Sequence, residues 1–233
     1  METTPVVRLR AAVAVVGRFP ALAGVDLDVA AGEIVLVRGP NGVGKTTLLR
    51  TCAGLVPIVS GSAEVLGVDL VASPAAVRRR VGLLGHATFL YADLTVEENV
   101  SFWTRAAGAR RADGRAALDR LGVPERVHGL AVRSLSTGQR RRVSFATMVA
   151  RRPELWLLDE PHAGLDASGR DIVDSLIGDA VAAGATVMFA SHELDRAEEV
   201  AHRSVTLAGG VIADGVADQP APADPTTLDE AAG

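Results

Sequence analysis

The chain has 233 residues, a formal net charge of −4, and 48% hydrophobic but only 3% aromatic residues. That length suits one large α/β domain, or a core with one inserted subdomain, built on an aliphatic interior of Val, Leu and Ala. The acidic balance argues against a nucleic-acid-binding surface, and the single cysteine, Cys52, excludes an internal disulfide and suits a reducing compartment.

Met1 to Pro5 is polar and lacks a basic start, so no secretory leader is expected. No apolar run approaches the ~20 residues of a spanning helix. The expectation is a cytoplasmic protein, or one held at a membrane by something else. Val6 to Val16 and Val25 to Val29 read as strands, with Leu22-Ala23-Gly24 as the turn between them. Glu33 to Val37 is a buried strand.

Gly39-Pro40-Asn41-Gly42-Val43-Gly44-Lys45-Thr46 follows that strand, and Thr47 continues into a helix running to about Ala53. The pattern G-x-x-x-x-G-K-[ST] lets backbone N–H groups crowd around phosphate oxygens with no Cβ in the way. Of the 24 Lys and Arg residues, only Lys45 is a lysine. Its compact charge reaches the outer phosphates, which the broad fork of arginine cannot do in so tight a loop. Thr46 offers a hydroxyl to Mg²⁺, and the helix N-terminus faces the anion. A chance glycine-rich turn is the bland alternative, but the strand before and the helix after supply the context that the motif requires. The segment implies a nucleoside triphosphate site. Cys52, in the helix, reads as a buried small apolar residue rather than a reactive thiol.

Glu64 to Leu66 is a short strand turned by Gly67-Val68-Asp69, Ser73-Pro74 starts a short helix, and Val81 to Gly85 is again a buried strand. From about Ala87 to Ala150 the pattern changes to helical periodicity, over Glu97 to Gly108, Asp113 to Gly122 and Gly138 to Arg151. Arg140-Arg141-Arg142 reads as a solvated face with some contact to phosphate or a partner, since no aromatic interleaving offers base stacking. Leu155 to Leu158 and Thr186 to Ala190 are continuous apolar runs of the kind found in parallel strands covered on both faces. Val205 to Ala208, Gly209-Gly210 and Val211 to Ala213 read as a hairpin. Beyond Gly215 a Pro-, Ala-, Asp- and Thr-rich tail is expected to be disordered.

Two carboxylates, Asp159-Glu160, end the Leu155 strand, and Ser191-His192 ends the Thr186 strand. Leu135-Ser136-Thr137-Gly138-Gln139 precedes them. With the phosphate loop, these motifs make the chain resemble an ABC-type ATPase subunit over nearly its whole length. Thr137 stands where the family's LSGGQ has its first glycine. The resemblance implies a P-loop NTPase core, a RecA-like parallel sheet with N-terminal antiparallel strands, and an inserted helical subdomain. It divides the chain into a core at 1–86 and 151–216, a helical signature subdomain at 87–150 and a tail at 217–233.

The same resemblance implies ATP with Mg²⁺ as cofactors and a role for each motif. Lys45 acts on the outer phosphates. Asp159 holds Mg²⁺ through water, beside Thr46. Glu160 polarises the attacking water as general base, and His192 contacts the γ-phosphate. Gly39, Pro40, Asn41, Gly42, Val43, Gly44, Lys45, Thr46 and Thr47 line the nucleotide site. Ser136 and Gly138 face the γ-phosphate held by a second subunit, and Asp166 in Ala163-Gly164-Leu165-Asp166 lies at that interface. One chain then carries two half-sites and dimerises, with itself or a related ATPase subunit. His128, His162 and His202 lack partners at metal-ligand spacing and read as surface or packing residues.

Two positions depart from the family pattern. His86 stands where it has a glutamine, nine residues before Thr95 in Asp93-Leu94-Thr95-Val96-Glu97-Glu98-Asn99. Neutral imidazole accepts one hydrogen bond and is a softer Mg²⁺ ligand than an amide oxygen, so His86 is placed at the nucleotide and the metal by position only. It is expected to couple nucleotide state to a membrane partner and to make turnover more pH-sensitive below about pH 6.5. The adenine-stacking aromatic is also missing, with Val16 at its place and Phe19 nearby.

Gly85-His86 and Leu94 to Val100 are most similar to the ATPase subunit of the haem exporter of cytochrome c maturation. That implies separate multi-span membrane subunits, a location on the inner face of the cell membrane, and no nucleic acid. ATPase subunits of other exporters, a soluble ABC ATPase of iron–sulfur cluster assembly, and a regulator that uses ATP-driven dimerisation as a switch are the other readings.

Overall fold

A computed structural model describes residues 4–213; the expected tail at 217–233 lies outside the described residues. Val7–Val16 (β1) and Phe19–Val29 (β2) pair antiparallel. Ser60–Val65 (β4) joins the other edge of β1, and Val68–Asp69 (β5) completes the order β2-β1-β4-β5. The hairpin turns at Gly17-Arg18, not at Leu22-Ala23-Gly24. Leu22 pairs with Ala14, and Gly24, at φ +113°, is the extra residue of a bulge between the pairs Ala12–Val25 and Val13–Ala23. Leu22 is fully buried, and that burial outweighs the local turn signal.

The second sheet holds Ile34–Arg38 (β3), Val81–Leu84 (β6), Leu155–Asp159 (β7), Thr186–Ala190 (β8), Arg203–Ala208 (β9) and Val211–Ala213 (β10). Its order is β10-β9-β3-β8-β7-β6, parallel throughout except for the β9–β10 hairpin. Alternate residues of its central strands feed two separate cores. Leu36, Trp156, Leu158 and Phe189 pack with the helices of one face, whereas Val35, Val37, Leu157 and Met188 pack with the antiparallel sheet and the first helix. Being covered on both faces is what makes these strands read as unbroken apolar runs.

Six α-helices lie among the described residues: Lys45–Cys52 (α1), Val96–Ala106 (α2), Arg111–Arg120 (α3), Thr137–Val149 (α4), Ala167–Ala182 (α5) and Leu194–Val200 (α6). The helix expected from Ser73-Pro74 is instead a series of turns, with Ala76 N donating to Ser73 O and Arg80 N to Val77 O. Nucleating so short a helix is unfavourable without an amphipathic face to bury. No helix among the described residues is long and apolar enough to cross a membrane.

Candidate active site

Because β3, β6, β7 and β8 run parallel, their carboxyl ends share one edge of the sheet. That edge receives the loop after β3, Gly85-His86 after β6, Asp159-Glu160 after β7 and Ser191-His192 after β8. Ligand crevices of open α/β sheets lie at this edge.

The loop after β3 is shaped by its glycines. An added Cβ at Gly39 would stand 2.3 Å from Leu207 O, and one at Gly44 would stand 2.3 Å from Ala21 O. Gly39, Gly42 and Gly44 all have positive φ. Lys45 Nζ folds back to donate to Gly39 O at 2.7 Å and to Pro40 O at 3.0 Å. Helix α1 starts after Gly44 with no side-chain cap, whereas Thr95, Ser136 and Asp166 cap α2, α4 and α5 through their side chains. The first amides of α1 are therefore left for a ligand that accepts hydrogen bonds. Asn41, Val43 and Thr47 belong to the same loop and first turn, with Asn41 exposed and Val43 and Thr47 half-buried.

Thr46 Oγ1 donates to Asp159 Oδ2 at 2.7 Å, joining the loop to the end of β7. A hydroxyl and a carboxylate side by side are a hard-oxygen pair that fits Mg²⁺ held largely by substrate phosphates and water. Among the described residues no group of three or more His, Cys, Asp or Glu could hold a metal ion. Next along the chain, Glu160 has φ +52°. Its Oε2 accepts from His192 N at 3.2 Å and lies 2.7 Å from His192 Nδ1. His86 is exposed just beyond buried Gly85.

Ser136, Gly138 and Asp166 form a second group. Ser136 caps α4 by accepting from Gln139 N at 3.2 Å, while the Gln139 side chain accepts from Ser136 N. Asp166 accepts from Gly169 N and pairs with Arg142 Nη2 at 2.5 Å, which holds its carboxyl below the usual range. An added Cβ at Gly138 would meet Gly164 O at 3.0 Å, so the α4 start lies against the loop bearing Asp166. Among the described residues no hydrogen bond or ion pair connects this group to Lys45 or Thr46.

One reading of a residue run changes. Arg140-Arg141-Arg142 is not a solvated face: Arg141 is buried and donates to three backbone carbonyls, and Arg142 donates to Leu121 O as well as Asp166. The register that docks α4 on the strand ends decides this, and arginine stems pack as readily as they solvate. The remaining histidines have partners. His162 is buried with Nε2 2.7 Å from Asp174 Oδ1, His128 sets Nε2 3.1 Å from Val123 O, and His202 Nδ1 accepts from Ile34 N. Val16 and Phe19, the adenine candidates, pair across the exposed end of the first hairpin. Cys52 is fully buried, and burial pushes its thiol up to about 12, so it is inert as read.

Residues 22–163, more than half of the chain, match the ABC transporter family. The chain is 42% identical over 204 residues to the daunorubicin resistance ATP-binding protein DrrA3 of Streptomyces coeruleorubidus, covering 85% of this chain and 64% of that protein. It is 38% identical over 183 residues to the cytochrome c biogenesis ATP-binding export protein CcmA of Bradyrhizobium diazoefficiens, covering 78% of this chain and 90% of that protein. It therefore spans just under two thirds of the first relative and most of the second. Among solved structures, the dimeric ATP-binding cassette MJ0796 bound to ADP and Pi aligns with a TM-score of 0.81 at 26% identity, over 88% of this chain and 96% of that one. With the capless α1, the glycine-shaped loop and the carboxylates at the strand ends, these matches place the chain in the ABC transporter family, folded as its ATP-binding cassette.

Proposed function

We propose that the chain is the ATP-hydrolysing motor of an ABC transporter, acting as a dimer on separate multi-span membrane subunits at the inner face of the cell membrane. The observation that carries this reading is the pair of 2.7 Å contacts at one sheet edge, Thr46 to Asp159 and Glu160 to His192. Lys45 leaves its own loop carbonyls to meet the outer phosphates. Thr46, and Asp159 through water, would hold Mg²⁺, which when bound would supply charge neutralisation to the phosphate oxygens. Glu160 takes a proton from the attacking water, and His192 orients against the γ-phosphate. Ser136 and Gly138 contribute to the site of the other subunit.

Support for a membrane partner comes from where the aromatics lie. Phe89, Tyr91 and Phe102 are each about half exposed, and Tyr91, Phe102 and Trp103 stack or meet edge-on within 6.2 Å. Phe89 and Trp103 also line a groove of 390 Å³, together with Leu55 and Met148. A chain this poor in aromatics has placed half of its eight at one surface, the composition of a docking face.

For cargo, haem export for cytochrome c maturation is the first reading, since the chain spans 90% of the cytochrome c biogenesis relative. Drug export is the second, supported by 42% identity to the daunorubicin resistance protein. A pull-down from detergent-solubilised native membranes, with mass spectrometry and a scan for a haem absorbance band, tests both. Multi-span partners with a haem band support the first reading, and multi-span partners without one support the second. Soluble partners alone overturn the transport reading. If His86 couples nucleotide state to that partner, His86→Gln alters transport coupling and the pH profile of turnover; no change in either would remove it from the mechanism.

A further inference from the structure

Arg141 is buried, and its polar contacts are all to backbone carbonyls. Nη1 donates to Gly85 O at 2.5 Å, and Nη2 donates to Asp159 O at 3.0 Å and to Glu160 O at 2.5 Å. These carbonyls stand at the ends of β6 and β7, where the ladder between the two strands runs out after Leu84 and Leu158. Among the described residues Nε has no hydrogen-bond partner, and the guanidinium carbon lies 5.9 Å from the centre of the Phe145 ring. Burial, only partly offset by the Asp159 and Glu160 charges, lowers its pKa. A side chain that only filled this space would be better apolar, because a buried charge held by carbonyls alone recovers little of its lost hydration.

What the guanidinium secures is the backbone of Glu160. This residue has φ +52°, a conformation that a side chain with a Cβ leaves unless both of its peptide groups are held. Here its N–H donates to Ala190 O at 2.9 Å, and its C=O accepts from Arg141 at 2.5 Å and, more weakly, from Ala163 N at 3.2 Å. From that backbone the Glu160 carboxylate reaches the amide and ring of His192. The other arm of the guanidinium holds the carbonyl directly before His86. We infer that Arg141 is a positioning residue for hydrolysis: it fixes Glu160 in the left-handed conformation that aims its carboxylate, and it ties that conformation to the segment carrying His86.

This inference rests on Glu160 being the base, and the test separates the two. Turnover of ATP is measured for the full chain and for Arg141→Met, Arg141→Lys, Glu160→Gln and the double variant Arg141→Met/Glu160→Gln, using single-turnover hydrolysis of radiolabelled ATP for the slow ones. Arg141→Met is expected to lower kcat at least ~10-fold, about 1.4 kcal/mol in the barrier, with KM within about twofold. Arg141→Lys, with one donor group left, recovers part of the loss. In the Glu160→Gln background, adding Arg141→Met costs less than about twofold, because the carboxylate it positions is gone. An additive loss in the double variant, an unchanged kcat in Arg141→Met, or a loss confined to KM would overturn the inference. Full turnover in Glu160→Gln would overturn the base assignment itself. If Arg141→Met does not fold, Arg141→Gln keeps two amide donors in the same space, and the same cycle with Glu160→Gln decides the matter.

Discussion

Glu160 and His192 share one carboxylate oxygen, since Oε2 faces both the Nδ1 and the main-chain N–H of the histidine. Glu160→Gln keeps the shape but removes the proton acceptor. Its turnover is expected to fall at least ~10²-fold while ATP still binds, so that an ATP-bound dimer accumulates. Light scattering should show an ATP-dependent doubling of mass; a variant that stays monomeric would sink the two-half-site reading.

Lys45 already lies along its own loop, bonded to the carbonyls of Gly39 and Pro40. Lys45→Ala is expected to lose at least ~10²-fold in turnover, as other preorganised contacts to developing charge do. Lys45→Arg should fare little better, because a planar fork does not fit where the ammonium reaches. Steady-state hydrolysis checks both, and a fully active arginine variant would show that charge alone suffices.

The hydroxyl of Thr46 and the carboxylate of Asp159 are in direct contact. Thr46→Val keeps the volume and removes the oxygen. The Mg²⁺ concentration for half-maximal turnover is expected to rise about 10-fold, with the unfolding temperature little changed. An unchanged Mg²⁺ requirement would place the ion elsewhere.

Gly42 and Gly44 separate strain from collision. Both have positive φ, but an added Cβ meets nothing within 4 Å at Gly42 and a backbone carbonyl at 2.3 Å at Gly44. Gly42→Ala is expected to cost about 1 kcal/mol and Gly44→Ala about 3 kcal/mol. Denaturant unfolding of the two variants gives the comparison, and equal costs would contradict it.

Asp174 carries a pH-dependent share of stability. Burial acts to raise its carboxyl, but hydrogen bonds from His162 and Arg196 outweigh that and hold it below the usual value. A depressed folded value favours the ionised form, so this stabilisation is complete above the unfolded value of about 3.9 and fades as pH falls through the folded one. Asp174→Ala is expected to cost about 2 kcal/mol at neutral pH. The gap to the parent chain should narrow on acidification past about pH 4, as followed by urea unfolding at each pH. A gap independent of pH would assign the loss to packing.

The residues that end buried strands were legible in the sequence. Asp159, Glu160 and His192 each follow an unbroken apolar run, and a parallel sheet brings such ends to one edge. Arg141 was not legible, because a triple arginine looks solvated until the helix bearing it is seen docked on two strand ends. The Asp174 partnership of His162 was hidden for the same reason, being a contact across 12 residues that no spacing rule encodes. The bulges at Ala11 and Gly24 were invisible too. Ala11 takes φ +43° with its N–H on Asp26 Oδ1, a local exception that only cross-strand register reveals.

A chain with one lysine carries a built-in chemical reporter. Apart from the N-terminus, an amine-acylating reagent finds a single primary amine in the covalent structure, at the centre of the phosphate loop. The extent of acylation at Lys45, read by mass spectrometry on the whole protein, therefore counts vacant phosphate loops copy by copy. In a dimer kept intact, native mass spectrometry of the same sample separates doubly vacant, half-protected and fully protected assemblies, making the filling order of its two phosphate loops visible without a label being engineered in.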